Sequence, residues 1–71
     1  MFTPTPESKH IAGFEYSKDT NTLTITFKRG MHQYMYYDVP EKLIDGFRFA
    51  SSKSAYFVKF IKTNYRCIRV K

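Results

Sequence analysis

Seventy-one residues with a formal net charge of +6 make one small domain, since folded domains generally run to about 100–150 residues and two independent cores have no room here. Hydrophobics at 42% and charged residues at 25% argue against intrinsic disorder. A single cysteine, Cys67, closes no intramolecular disulfide, and His10, His32 and Cys67 match no zinc-ligand spacing.

The charge is unevenly spread. Residues 1–46 carry five Lys/Arg against six Asp/Glu, and residues 47–71 carry seven Lys/Arg and no acid. Such an excess attracts phosphates, nucleic acid or an anionic surface without choosing among them. Aromatics make up 18% of the chain, seven Phe and six Tyr with no Trp. Each ring buries about 150–250 Å², so few side chains build the core. A core this small commonly needs a disulfide, a metal or oligomerisation. With the first two unsupported, a homo-oligomer is the expectation. No stretch approaches the roughly 20 apolar residues of a membrane span, and the N-terminus has no secretory pattern, so a cytoplasmic protein with no membrane partner is expected.

Along the chain, Thr3-Pro4-Thr5-Pro6 has no backbone donor and a fixed φ at each proline, so residues 1–8 read as an extended lead-in outside a single domain spanning 9–71. In the first strand, near Ile11–Tyr16, alternation places Ala12, Phe14 and Tyr16 on one face. Turn-prone Ser17–Asn21 leads into the strongest signal of the chain, Thr22–Lys28. Its strict alternation puts Leu23, Ile25 and Phe27 on one face and three threonines on the other. Arg29-Gly30 reads as a two-residue hairpin loop before a third strand over 31–39. That register pairs Phe27 with His32, Ile25 with Tyr34 and Leu23 with Tyr36, and a slip of one residue would turn both tyrosines to the opposite face.

Pro40 stops the strand and, beside Asp38 and Glu41, marks a helix start. Leu43, Ile44 and Phe47 form its apolar face, ending at Ala50. A second helix is capped by Ser51 or Ser52, with a stripe of Phe57, Phe60, Ile61 and Tyr65 and with Lys59 and Lys62 off it. Residues 66–71 alternate basic with apolar and could add a strand. The fold class is thus α+β: a three-stranded antiparallel meander, two short helices and a C-terminal segment that could pair.

From about Ser8 onward the chain resembles the KTSC domain. That short module is named for its place at the C-terminus of some lysyl-tRNA synthetases and occurs alone in bacterial and phage proteins. The resemblance rests on Tyr16, Leu23-x-Ile25-x-Phe27, Gly30, Tyr34-x-Tyr36, Val39-Pro40, Ala50-Ser51-Ser52-Lys53, Tyr56-Phe57, Ile61 and Tyr65. Ser54-Ala55 departs from it, the family tending there to glycine and a basic residue, which weakens any argument for close backbone approach. The resemblance implies an RNA-binding association and no catalytic activity.

The residues themselves lead to binding rather than catalysis. Neither histidine has an orienting carboxylate near it in sequence, Cys67 lies in the tail, and Asp38, Glu41 and Asp45 suit a helix N-terminal half. No catalytic, metal or cofactor residue is therefore assigned. Ser51, Ser52, Lys53 and Ser54 at a helix start offer hydroxyls, backbone donors and a cation for a phosphate, or else form an ordinary serine cap with a solvated lysine. Arg48, Lys59, Lys62, Arg66 and Arg69 would supply the surrounding field. Tyr34, Tyr36, Tyr37 and Tyr56 are base-stacking or pocket-rim candidates, and the hairpin register equally allows Tyr34 and Tyr36 to be core. Three readings compete. One is a non-enzymatic site for a phosphate-bearing nucleotide, such as a phage sponge sequestering a cyclic oligonucleotide or related immune messenger in a bacterial host cell. The second is an RNA-binding module, and the third is a protein–protein adaptor.

Overall fold

A computed structural model describes residues 2–70, leaving Met1 of the lead-in and Lys71 of the alternating tail outside the described residues. Among the described residues, five antiparallel strands, β1 (Thr3–Pro4), β2 (Ile11–Ser17), β3 (Thr22–Phe27), β4 (Gln33–Tyr36) and β5 (Cys67–Arg69), lie in sequence order across one sheet. Helix α1 (Glu41–Phe49) follows β4, and α2 (Lys53–Tyr56) runs directly into a π-helical turn, Phe57–Ile61. The α+β architecture with two helices agrees with the sequence pattern, and the meander is its centre. The flanking strands are finer than the pattern foretold: the tail does pair as β5, and the lead-in contributes β1.

Placing residues 1–8 outside the fold requires correction. Thr3 and Pro4 pair with Phe14 and Gly13, and Thr5 is buried, its hydroxyl donating to Ile11 O at 2.7 Å and its N–H to Ala12 O at 3.0 Å. Proline is tolerated because β1 is an edge strand that needs few donors.

β3 is the centre of the sheet, as its alternation requires. Leu23 pairs with Tyr36 and Ile25 with Tyr34, and Phe27 N–H donates to His32 O at 2.9 Å, which is the register read from the sequence. The connection differs in form. It is a 3₁₀ turn over Arg29–Met31 rather than a two-residue loop, with Gly30 at φ 70° and Met31 at φ 51°. The longer turn returns the chain to the same register, so the tyrosines stay on the helix-facing side.

β2 departs from simple alternation. Ile11 pairs with Phe27 but Gly13 pairs with Thr26, a bulge with Ala12 as the extra residue. Ile11 and Phe14 consequently share the core face, and the expectation that Ala12 would sit there is corrected. The bulge brings a second large side chain into a core that has few.

That core lies between the sheet and the helices. Ile11, Leu23, Ile25, Val39, Ile44, Phe47 and Ile61 are fully shielded, with Phe14, Tyr36 and Phe57 nearly so. Edge-to-face pairs tie the layers together: Phe14 meets Phe47 at 4.8 Å, and Phe57 meets Tyr36 at 5.3 Å and Phe27 at 5.7 Å between centroids. Helix α1 begins after Pro40 and turns Ile44 and Phe47 inward. Of the second-helix stripe, Phe57 and Ile61 are core and Tyr65 is half-buried, but Phe60 is exposed, its ring leaning on Tyr56 at 4.7 Å. The π turn, closed by Lys62 N–H on Phe57 O at 2.9 Å, widens the helix and turns residue 60 off the stripe.

Candidate functional site

The start of α2 is built around Lys53. Ser52 is the N-cap, its hydroxyl accepting from Ala55 N–H at 3.3 Å. Lys53 turns back toward α1, where its ammonium donates to Arg48 O at 3.0 Å and Ala50 O at 3.1 Å and pairs with Glu7 at 3.5 Å. All three of its donors are therefore engaged, and its side chain is only 10% exposed. Lys53 caps the C-terminal carbonyls of α1 and pins the N-terminal turn. Ser54 Oγ lies 3.2 Å from Ser8 Oγ, which also accepts from Ile11 N–H at 3.1 Å.

These contacts form one side of a cleft of about 740 Å³, walled by Glu7–His10 on one side and by Ser51–Ala55, Val58 and Lys59 on the other. A second cleft of about 490 Å³ lies between the helix-facing side of the sheet and the π turn. Its buried members are Ile11, Tyr36 and Phe57. Phe27 and Tyr34 are half-buried, and His10, Val58, Lys62 and Cys67 are exposed members. Ser54, Val58 and His10 line both clefts, so the two adjoin.

The candidate residues of the sequence are thus partly brought together. Ser51, Ser52, Lys53, Ser54 and Lys59 line the polar cleft, and Tyr34 and Tyr36 line the apolar one. Only four residues of α2 are α-helical, so the polar cleft depends on side chains more than on a helix end. Arg48 does not line the polar cleft: it pairs with Asp45 at 3.6 Å and lines a neighbouring depression with Pro4 and Phe49, which Glu7 and Lys53 also border. Tyr37 and Arg66 flank a separate depression with Asp38 and Asn64. Arg69, across from Tyr34 on β5, places its guanidinium 2.7 Å from His32 Nδ1. Tyr56 packs on Phe47 and Phe60 and donates its hydroxyl to Leu43 O at 2.9 Å. No single anion field from Arg48 to Arg69 is assembled, because Arg48 and Arg66 line separate depressions and Arg69 sits against His32.

Tyr36 is core along its ring and meets the apolar cleft at its edge, where Cys67, its partner on β5, also lines the wall. Burial, with Cys67 and Tyr34 adding to it, pushes the phenol well above its ordinary range and keeps it a neutral hydroxyl. Stacking of a base on the face of Tyr36 is therefore excluded by packing. Sequence reasoning passed over His10, Lys9, Phe27, Val58 and Cys67 as site residues. Ser54, Val58 and Lys62 follow at i, i+4 and i+8, a signal for a shared helix face. His10 and Lys9 carry no such signal, since the β2 bulge and the Ser8 turn bring them in. Among the described residues, no three His, Cys, Asp or Glu side chains are grouped to hold a metal, and no helix is long and apolar enough to cross a membrane.

Residues 7–65 match the model of the KTSC domain. A lysine–tRNA ligase of Nostoc punctiforme is 39% identical over 61 residues, which is 86% of this chain but 11% of that ligase. The chain therefore spans about a tenth of the curated relative it matches. The crystal structure of a KTSC domain protein from Yersinia pestis superposes with a TM-score of 0.93 at 30% identity, covering 100% of this chain and 97% of that one. With the family model matching most of the chain and the fold shared from end to end, the chain belongs to the KTSC domain family.

Proposed function

We propose that this domain binds a phosphate-bearing nucleotide without transforming it. The observation that carries this reading is the contiguity of the two clefts: an apolar, aromatic compartment opens directly into a polar one bearing Lys9, Lys59 and serine hydroxyls. A nucleotide has the same division, one aromatic base joined to an anionic phosphate. Binding without turnover suits sequestration, as in a sponge for an immune signalling nucleotide. An RNA-binding module is the second reading. It is favoured by basic residues lying away from the clefts, Arg66 and Arg69 on the β5 side, and by a similar segment in a protein that carries the name of a tRNA ligase.

Calorimetric titration with adenosine monophosphate, a cyclic dinucleotide and a short single-stranded RNA, at 50 and 200 mM salt, tests both readings. Saturable binding of a small nucleotide that survives the higher salt supports the first. RNA affinity that is independent of a terminal phosphate and falls with a log–log slope of about −0.7 per phosphate contacted, with no small-nucleotide heat, replaces it with the second. Absence of heat with all three, alongside tight capture of a protein partner, would leave the adaptor reading.

A further inference from the structure

We infer that the joined cleft takes one nucleotide unit per chain, an aromatic base carrying a single phosphate monoester. The inference rests on the nucleotide reading above and narrows it. The apolar compartment, at about 490 Å³, lies within the roughly 300–1,000 Å³ of small-molecule sites and has room for one base. It adjoins one polar compartment, and the residues common to both, His10, Ser54 and Val58, mark the position of the ribose.

Charge selects the phosphate. In the polar cleft Lys53 and Glu7 neutralise one another at 3.5 Å, and Lys53 also serves two carbonyls. Lys9 and Lys59 remain, two positive charges; the Lys59 ammonium rests 5.4 Å from the centroid of the exposed Phe60 ring, a weak contact that a phosphate would replace. A phosphate monoester carries about −1.5 to −2 at pH 7 and balances them, whereas a diester carries only one negative charge. Ser54 Oγ and the His10 ring at the junction add hydrogen-bonding groups. Lys62 lines the apolar cleft instead, where it can meet the polar edge of a base. A cyclic dinucleotide presents two bases and two diesters, and its second base has no apolar counterpart within one chain.

Free mononucleotides and the phosphorylated end of an RNA share this chemistry, so the test separates them. The full chain is titrated with adenosine monophosphate, adenosine, cyclic di-adenosine monophosphate, and a trinucleotide with and without its 5′ phosphate. Val58→Asp and Lys59→Gln are compared by the same titrations. Val58 is 54% exposed, so its substitution is expected to leave the melting curve unchanged while it places a like charge against the phosphate. One adenosine monophosphate per chain, at least tenfold tighter than adenosine and weakened tenfold or more by Val58→Asp, supports the inference. So does a trinucleotide that binds only with its 5′ phosphate, and silence of the mononucleotide in that case assigns the RNA end as the source. Equal affinity for adenosine and its monophosphate overturns the inference and leaves the nucleotide reading standing. Tighter binding of the cyclic dinucleotide, one per two chains, does the same. No binding of any nucleotide removes both.

Discussion

Replacing Lys53 with methionine tests whether this residue serves the fold or the ligand. The substitution keeps most of the aliphatic packing of a side chain that is 10% exposed and deletes the ammonium. Two charge-assisted hydrogen bonds, to Arg48 O and Ala50 O, are lost. Such bonds contribute about 1.5–3 kcal/mol each, but water recovers part of that because Arg48 is exposed and Ala50 half-buried. The pair with Glu7, whose carboxylate end is exposed, adds less than about 1 kcal/mol. A net loss of about 2–3 kcal/mol follows, set against a total stability of about 4–10 kcal/mol for a domain of this length. Thermal unfolding followed by circular dichroism should show the midpoint lowered by about 10–20 °C. Glu7→Gln should cost less than about 1 kcal/mol by the same assay. Below the new midpoint, affinity for adenosine monophosphate should fall in Lys53→Met, which leaves Glu7 uncompensated in the cleft, and stay within about threefold of the native chain in the double variant Lys53→Met/Glu7→Gln, since Lys53 has no donor left for a phosphate. A Lys53→Met protein as stable as the native one, with ligand affinity lost in the double variant as well, would refute this reasoning and return Lys53 to the binding site.

Three further outcomes follow from the packing. A Cβ at Gly46 would collide with the Tyr56 hydroxyl, so Gly46→Ala should destabilise by about 1–2 kcal/mol despite alanine's helix propensity. In a Tyr56→Phe background the cost should shrink, since the hydroxyl contact is gone and only ring carbons at 3.0 and 3.2 Å from the new Cβ remain, and a double-mutant cycle by urea denaturation measures the coupling. Met31, exposed at φ 51°, pays for a left-handed conformation that glycine adopts freely; Met31→Gly should gain about 0.5–1 kcal/mol in chemical denaturation. The phenols of Tyr36, Tyr16 and Tyr56 are all raised by burial. Their neutral forms favour the folded state, so that stability is complete below the unfolded value near pH 10 and is lost as pH rises above it. Urea midpoints at pH 8, 10 and 11 should fall across that range, and less steeply in Tyr36→Phe; an equal slope in both proteins would contradict the assignment.

The correspondence between sequence and fold was best where the interactions are local. Leu23, Ile25 and Phe27 alternate because a half-buried strand repeats every two residues, and that period fixed both the face and the partner of Tyr34 and Tyr36. Pro40 and Ser52 mark helix starts through their own backbone and side-chain chemistry. The Ala12 bulge was not legible, since it depends on Ile11 finding a place opposite Phe27 rather than on any signal within β2. Docking of the lead-in was hidden likewise, because Thr5 is held by Ile11 and Ala12, not by its sequence neighbours.

For function, the sequence by itself determined the inventory: aromatic rings, serine hydroxyls and an excess of positive charge in the last 25 residues. Tertiary structure alone decided which of these face one another. It assigned Lys53 to the carbonyls of α1, separated Arg48, Arg66 and Arg69 from the serines, and brought His10 and Lys9 to the second helix. The physical reason is that charge and residue type add along a chain, whereas a site depends on direction and distance, and the bulge, the π turn and the N-terminal strand set those through contacts remote in sequence.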